Sequence, residues 1–139
     1  MTQEDKELLL KDLCARLPHG VICKDTNINV TGTLSQIGLH YDMCVLDKDN
    51  GDSESCYLLN CKPYLFPLSS MTEEQKNDLT KNLHSNVFVK DEISFWCLFT
   101  ANMMGEWQKV FEWCVKNHFD ICGLIPMGSA IDATGLNIY

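Results

Sequence analysis

Leucines recur at helical spacing near the start of the chain, at Leu9, Leu10, Leu13 and Leu17, with Cys14 among them and charged residues between. That period predicts an amphipathic helix, started by Thr2 with Asp5 as its capping-box partner and ended at Pro18 and Gly20. From Val21 to Leu65 the period changes to two. Ile28, Val30 and Leu34 share one alternation, Ile37, Leu39, Tyr41, Met43 and Val45 a second, and Tyr57, Leu59 and Cys61 a third. Polar or glycine-containing breaks separate them, which predicts four or five short antiparallel strands. These form a small sheet or an SH3-like barrel, with the first helix over a face or an open end. Asn50-Gly51 stands where a two-residue hairpin turn needs positive φ.

In "KPYLFP", residues 62 to 67, Pro63 cannot donate to a ladder and Pro67 ends extended structure, so the segment predicts an edge strand that terminates the sheet. Thr72, followed by Glu73, Glu74 and Gln75, starts a second helix that runs to about His84 and is anchored by Leu79 and Leu83. Residues 86 to 101 are β-branched and aromatic, a continuous run that fits either one or two strands or a buried helical segment. A third helix, begun at Asn102 or Met103, turns Trp107, Val110, Phe111, Cys114 and His118 to one face and Lys109, Glu112 and Lys116 to the other. Gly123, Pro126 and Gly128 interrupt the tail and leave "SAIDA" as a closing strand. The expected fold class is therefore α+β, in a single domain spanning residues 1–139.

Composition narrows the setting. A chain that is 45% hydrophobic and 22% charged is too apolar for disorder, and it lacks the uninterrupted apolar run of about 18 residues that predicts a membrane helix. Its N-terminus has neither the basic start nor the apolar stretch of a secretory signal, so a cytoplasmic location is expected. Thiols stay reduced there, and eight cysteines do not by their even number make a disulfide framework. The Asn29-Val30-Thr31 glycan acceptor is discounted for the same reason. Net charge is -8 and the eleven basic residues, a single arginine among them, are scattered. That argues against nucleic-acid binding and leaves the basic surface of a partner protein as the natural counterpart.

Candidate chemistry is sparse. Cys114 and His118 lie four apart on one helical face and Cys122 follows the helix end, the spacing nearest to a metal site and the basis of an alternative reading as a zinc- or thiol-site protein. No CxxC pair accompanies them, and free cysteines also pack as small apolar residues. Cys56 and Cys61, five apart, face opposite ways on one regular strand and make poor co-ligands. His19, His40 and His84 each stand alone. The acidic stretch 47–54 departs from calcium-loop spacing, with Gly51 one position early and Leu58 in place of the final Glu. With no phosphate-binding glycine loop and no GxSxG, no enzyme is indicated and no cofactor is expected. Tyr64 and Phe66 share a parity and Trp113 lies off the centre of its helix stripe. All three are protein-binding candidates, with core covering the first expectation for one or both of Tyr64 and Phe66 and for Trp113.

Three blocks, "LLLKDLCARLPHGVIC" (8–23), "KPYLFPLSSMTEEQ" (62–75) and "WCVKNHFDICGLIPMGSAIDA" (113–133), together resemble a family of small proteins encoded in gut Bacteroidetes genomes and their prophages and mobile elements. They cover about half the chain and include both ends. The family pattern has an aromatic where His19 stands and an arginine where Phe66 stands. The resemblance implies no activity, cofactor or catalytic residue. It implies an accessory phage or mobile-element protein and nothing sharper. The leading functional expectation is a non-enzymatic protein-binding module that engages a host or phage protein through the Pro63 to Pro67 edge, with Tyr64, Phe66 and Trp113 as its candidate surface.

Overall fold

Helix α1 (Gln3–Arg16) starts with a complete capping box: the Asp5 amide donates to the Thr2 hydroxyl at 3.1 Å, and the Thr2 amide donates to the Asp5 carboxylate at 2.8 Å. Two amides that lack intrahelical partners are satisfied in this way. The helix passes into one 3-10 turn, Leu17–His19, and stops at Gly20, whose φ of 67° is left-handed. Glycine reaches that region without steric cost. The buried stripe is not purely leucine. Leu9 and Leu13 are buried, but so are Asp12 and Arg16, while Cys14 is exposed.

The computed structural model describes residues 1–38, 40–81, 83, 88–89, 92–93 and 105–139. Strands β1 (Ile22–Asp25), β2 (Val30–Gly38), β3 (Met43–Asp47), β4 (Ser53–Tyr57) and β5 (Cys61–Leu65) pair antiparallel, and β5 also pairs in parallel with β8 (Ile131–Asp132). The sheet order is β4-β3-β2-β1-β5-β8. The fold is α+β, and the sheet is a curled, mixed half-barrel. A register shift between Leu34 and Gln36 supplies one local kink, and a bulge of this kind increases twist.

Which face of the strands turns inward differs from the hydrophobic alternation. Leu34, Cys44, Leu46, Cys56, Leu58 and Cys61 are buried, whereas Tyr41 and Tyr57 are 81% and 62% exposed. Cysteine occupies the inward parity of β3 and β4, and a thiol packs there as a small hydrophobe. The β3–β4 turn is also not the expected two-residue type. The Gly51 amide donates to the Lys48 carbonyl and the Lys48 amide to the Asp52 carbonyl, so Asp49, Asn50 and Gly51 form a three-residue loop with only Gly51 at positive φ, 88°.

Leu9 and Leu13 of α1 pack on the concave face with Val21, Cys23, Leu34, Leu46, Leu58, Leu65 and Leu124. A second cluster joins α2 (Glu73–Thr80) to α3 (Trp107–Lys116) through Met71, Leu79, Val110, Cys114 and Phe119. Thr72 and Gln75 form the expected capping box on α2, which ends at Thr80, before the expected His84. Of the ambiguous stretch, β6 (Phe88–Val89) and β7 (Glu92–Ile93) pair antiparallel, and the rest lies outside the described residues, as does the expected start of the third helix at Asn102 or Met103. No described helix is long and apolar enough to cross a membrane.

Gly32 stands where β2 and β3 approach closely. A Cβ there would sit 2.7 Å from the carbonyl oxygen of Asp47, which is backbone and cannot swing aside. Gly32→Ala is expected to destabilise the protein by about 1–3 kcal/mol. Urea unfolding checks this, and an unchanged midpoint would contradict the close approach of β2 and β3.

Candidate functional site

Of the residues chosen from the sequence as surface candidates, Tyr64 is buried, and Phe66 and Trp113 are half-buried against the Phe119 ring. β5 is not an edge strand, because Tyr64 and Leu65 pair with Ile131 and Asp132, and the pairing continues as a bridge between Phe66 and Phe119. Pro63 is tolerated because the parallel pairing begins one residue after it. Tyr64 is 8% exposed. The half-buried Phe66 ring meets Phe119 at 5.9 Å and Tyr139 at 6.0 Å. Trp113, also half-buried, stacks on Phe119 at 5.6 Å, and its indole Nε1 donates to the Asp78 carboxylate at 2.8 Å. That bond, with a further one from Lys81, holds the Asp78 carboxyl below its usual pKa.

Cys114, His118 and Cys122 are not brought together as a three-ligand set. The sequence places His118 on the helical face of Cys114, but α3 ends at Lys116 and His118 takes a left-handed φ of 61°, which carries its ring away to stack on Tyr139 at 3.9 Å. Burial pushes the Cys114 thiol up to about 12, and burial followed by the Asp12 charge does the same to Cys122. Burial thus favours the protonated thiol over the thiolate at both positions.

A different sulfur cluster lies inside the half-barrel. The Sγ atoms of Cys44, Cys56 and Cys61 all fall within 4.8 Å of one another, and this is the three-ligand group present among the described residues. Cys44 and Cys56 are directly opposed across β3 and β4, with their sulfurs 3.1 Å apart. The Cys61 thiol also meets that of Cys23, and all four side chains are buried. Reasoning along one regular strand set Cys56 and Cys61 on opposite faces. They lie instead on two strands, because the 3-10 turn Leu58–Asn60 carries the chain from β4 to β5. The contact with Cys56 draws the Cys44 thiol down, yet the Cys61 contact and burial together raise it to about 12. The Cys44 contact and burial raise Cys56 to about 12. The Cys23 contact and burial raise Cys61 as well.

On the outside, β4 has a single neighbour among the described strands. The Lys48 amide bonds the Asp52 carbonyl and the Leu58 amide bonds the Asp42 carbonyl. Antiparallel pairs alternate between bonded and unbonded, so the main chains of Ser53, Ser55 and Tyr57 point to the open edge. Four carboxylates, Asp47, Asp49, Asp52 and Glu54, lie with one lysine, Lys48, in the stretch at the hairpin end of this strand, and Lys48 pairs with Glu54 at 3.5 Å. Exposed Tyr41, Tyr57 and Leu59 occupy the other end.

No family model, curated protein or solved structure matches the chain.

The electrostatic setting of His118 has a measurable consequence. Burial, then the Arg16 charge, lowers its pKa from 6.5 to about 4, and its Nδ1 is buried without a hydrogen-bond partner. The unfolded chain therefore takes up a proton at higher pH than the folded one. Stability is expected to be complete above pH 6.5, to fall as pH drops from 6.5 toward 4, and to lose nothing further from this group below 4. His118→Asn, which tolerates the left-handed backbone, should flatten that slope. Ring titration by NMR with urea midpoints across this range checks it, and a ring titrating at its ordinary value would contradict the assignment.

Proposed function

We propose that the chain is a protein-binding module that adds an extended segment of its partner to the open edge of β4. The setting we propose is the phage or mobile-element biology implied by the three resembling sequence blocks. The observation that carries the reading is the edge of β4, unpaired among the described residues, with outward-pointing main-chain groups at Ser53, Ser55 and Tyr57 between an acidic end and an aromatic end. An added strand satisfies those groups and gains affinity from main-chain hydrogen bonds. Exposed tyrosines supply rigid contact area at low entropic cost.

Charge selects the occupant. The 47–54 stretch and the net charge of -8 favour a partner segment with basic residues toward the hairpin tip and an apolar or aromatic side chain over Tyr57. A second copy of the chain would bring the same excess of negative charge and is disfavoured. The cleft of about 1000 Å³ beside Trp113 offers no comparable selection, since Asp78 and Glu112 are balanced there by Lys109 and Lys116.

Peptides selected from a random library against the protein are expected to combine basic residues at one end with an apolar residue at the other. They should protect the Ser53, Ser55 and Tyr57 amides from hydrogen exchange. Ser55→Pro removes an outward donor without touching the β3–β4 ladder, and should weaken such ligands by about tenfold or more. A library that yields no such ligands, or ligands that bind the proline variant equally well, would contradict this surface.

A further inference from the structure

We propose that Cys44, Cys56 and Cys61, with Cys23 as the fourth ligand, form a buried structural site for one tetrahedral thiophilic divalent cation, zinc being the fitting ion. Core packing needs volume and does not need sulfur, and Leu, Val or Ala would fill these positions as well. What packing leaves unexplained is convergence. Sulfurs from β3, β4 and the first residue of β5 lie within 4.8 Å of one another, and the β1 thiol of Cys23 meets the Cys61 thiol. In the sheet order β4 and β5 are separated by three strands, so this meeting occurs across the hollow of the half-barrel and not between neighbours.

The donor set suits the ion. Four thiolates about 2.3 Å from a zinc ion stand about 3.8 Å apart; the Cys44, Cys56 and Cys61 sulfurs already lie within 4.8 Å of one another, the Cys44 and Cys56 sulfurs must part by roughly 0.7 Å, and Cys23, which touches Cys61 but lies outside that mutual group, must move toward it. Each ligating thiol gives up its proton on binding, so a chain of neutral thiols releases one proton per ligand and the loaded site weakens in acid. Full burial of all four side chains leaves no open coordination position for chemistry, which makes the site structural. Its mechanical effect is to tie the free edge strand β4 to β5.

The test uses the full chain, unfolded with reductant and chelator and then refolded with one equivalent of Co2+, with Zn2+, or with neither. The expected results are one cobalt per chain, the visible absorption of tetrahedral thiolate cobalt, its displacement by zinc, and a higher melting temperature with zinc than without metal. The Cys44→Ala/Cys56→Ala double variant should lose the cobalt spectrum, while Cys114→Ala should keep it. If the double variant does not fold, the wild-type refolding arms decide alone. The proposal is overturned by wild-type protein that refolds without metal to the same melting temperature and shows no thiolate spectrum. It is equally overturned by a spectrum that survives in the double variant, or by reduced protein that takes up no metal and on oxidation forms a Cys44–Cys56 disulfide.

Discussion

A fully buried guanidinium holds the two parts of this chain together. Arg16, at the last turn of α1, donates through Nε and Nη2 to the two oxygens of Asp12 at 2.6 and 3.0 Å. Nη2 also donates to the carbonyl of Phe119 at 2.8 Å, and Nη1 to that of Val115 at 3.4 Å. Burying two charges costs several kcal/mol each, and the cost is offset only where geometry is good and the remaining donors are used. Here they are used on carbonyls at and just beyond the end of α3, where a helix lacks internal donors and a cation is favoured. The Phe119 carbonyl belongs to the segment whose neighbours His118 and Asp120 bond Phe66, so the ion pair, α3 and the end of β5 are fixed by one connected set of contacts.

The same cation shapes the chemistry around it. Its field helps lower the pKa of His118, and at Cys114 and Cys122 it opposes a burial effect that it does not overcome. The residues that looked most like a metal or thiol centre in the sequence are instead held apart, with His118 stacked on Tyr139. Around Cys44, Cys56 and Cys61 there is no arginine among the groups that shift the thiols, and the sulfurs face one another. Strand β4 carries both surfaces of interest, with Cys56 turned inward to the sulfur cluster and Tyr57 turned outward beside the open edge. A cation that tethers the inner side of β4 would also steady the register of the edge proposed for a partner strand.

Local signals were legible in the sequence. Both capping boxes, the stop at Gly20 and the closing strand at Ile131 follow from short-range rules, because each depends on residues a few positions apart. Tertiary context hid the rest. Counting Met43 and Val45 as the core alternation overlooked that cysteine takes the inward positions on β3 and β4. Pro63 read as an edge signal because nothing local shows that β8, nearly seventy residues later, pairs beyond it. His118 left the helical face because α3 ended two residues earlier than its periodicity implied. Arg16 counted only as one of the scattered basic residues, although its carboxylate partner stands one turn before it, since an i,i+4 pair alone does not reveal burial.

The most direct measurement of the central role of Arg16 is a double-mutant cycle between Asp12→Leu and Arg16→Met, read by urea unfolding. Each single variant leaves an unpaired buried charge and is expected to cost about 3–5 kcal/mol, whereas the double variant replaces the pair with apolar volume and should cost far less than the sum. Single variants that each cost under about 1 kcal/mol and add without coupling, as exposed ion pairs do, would contradict the account.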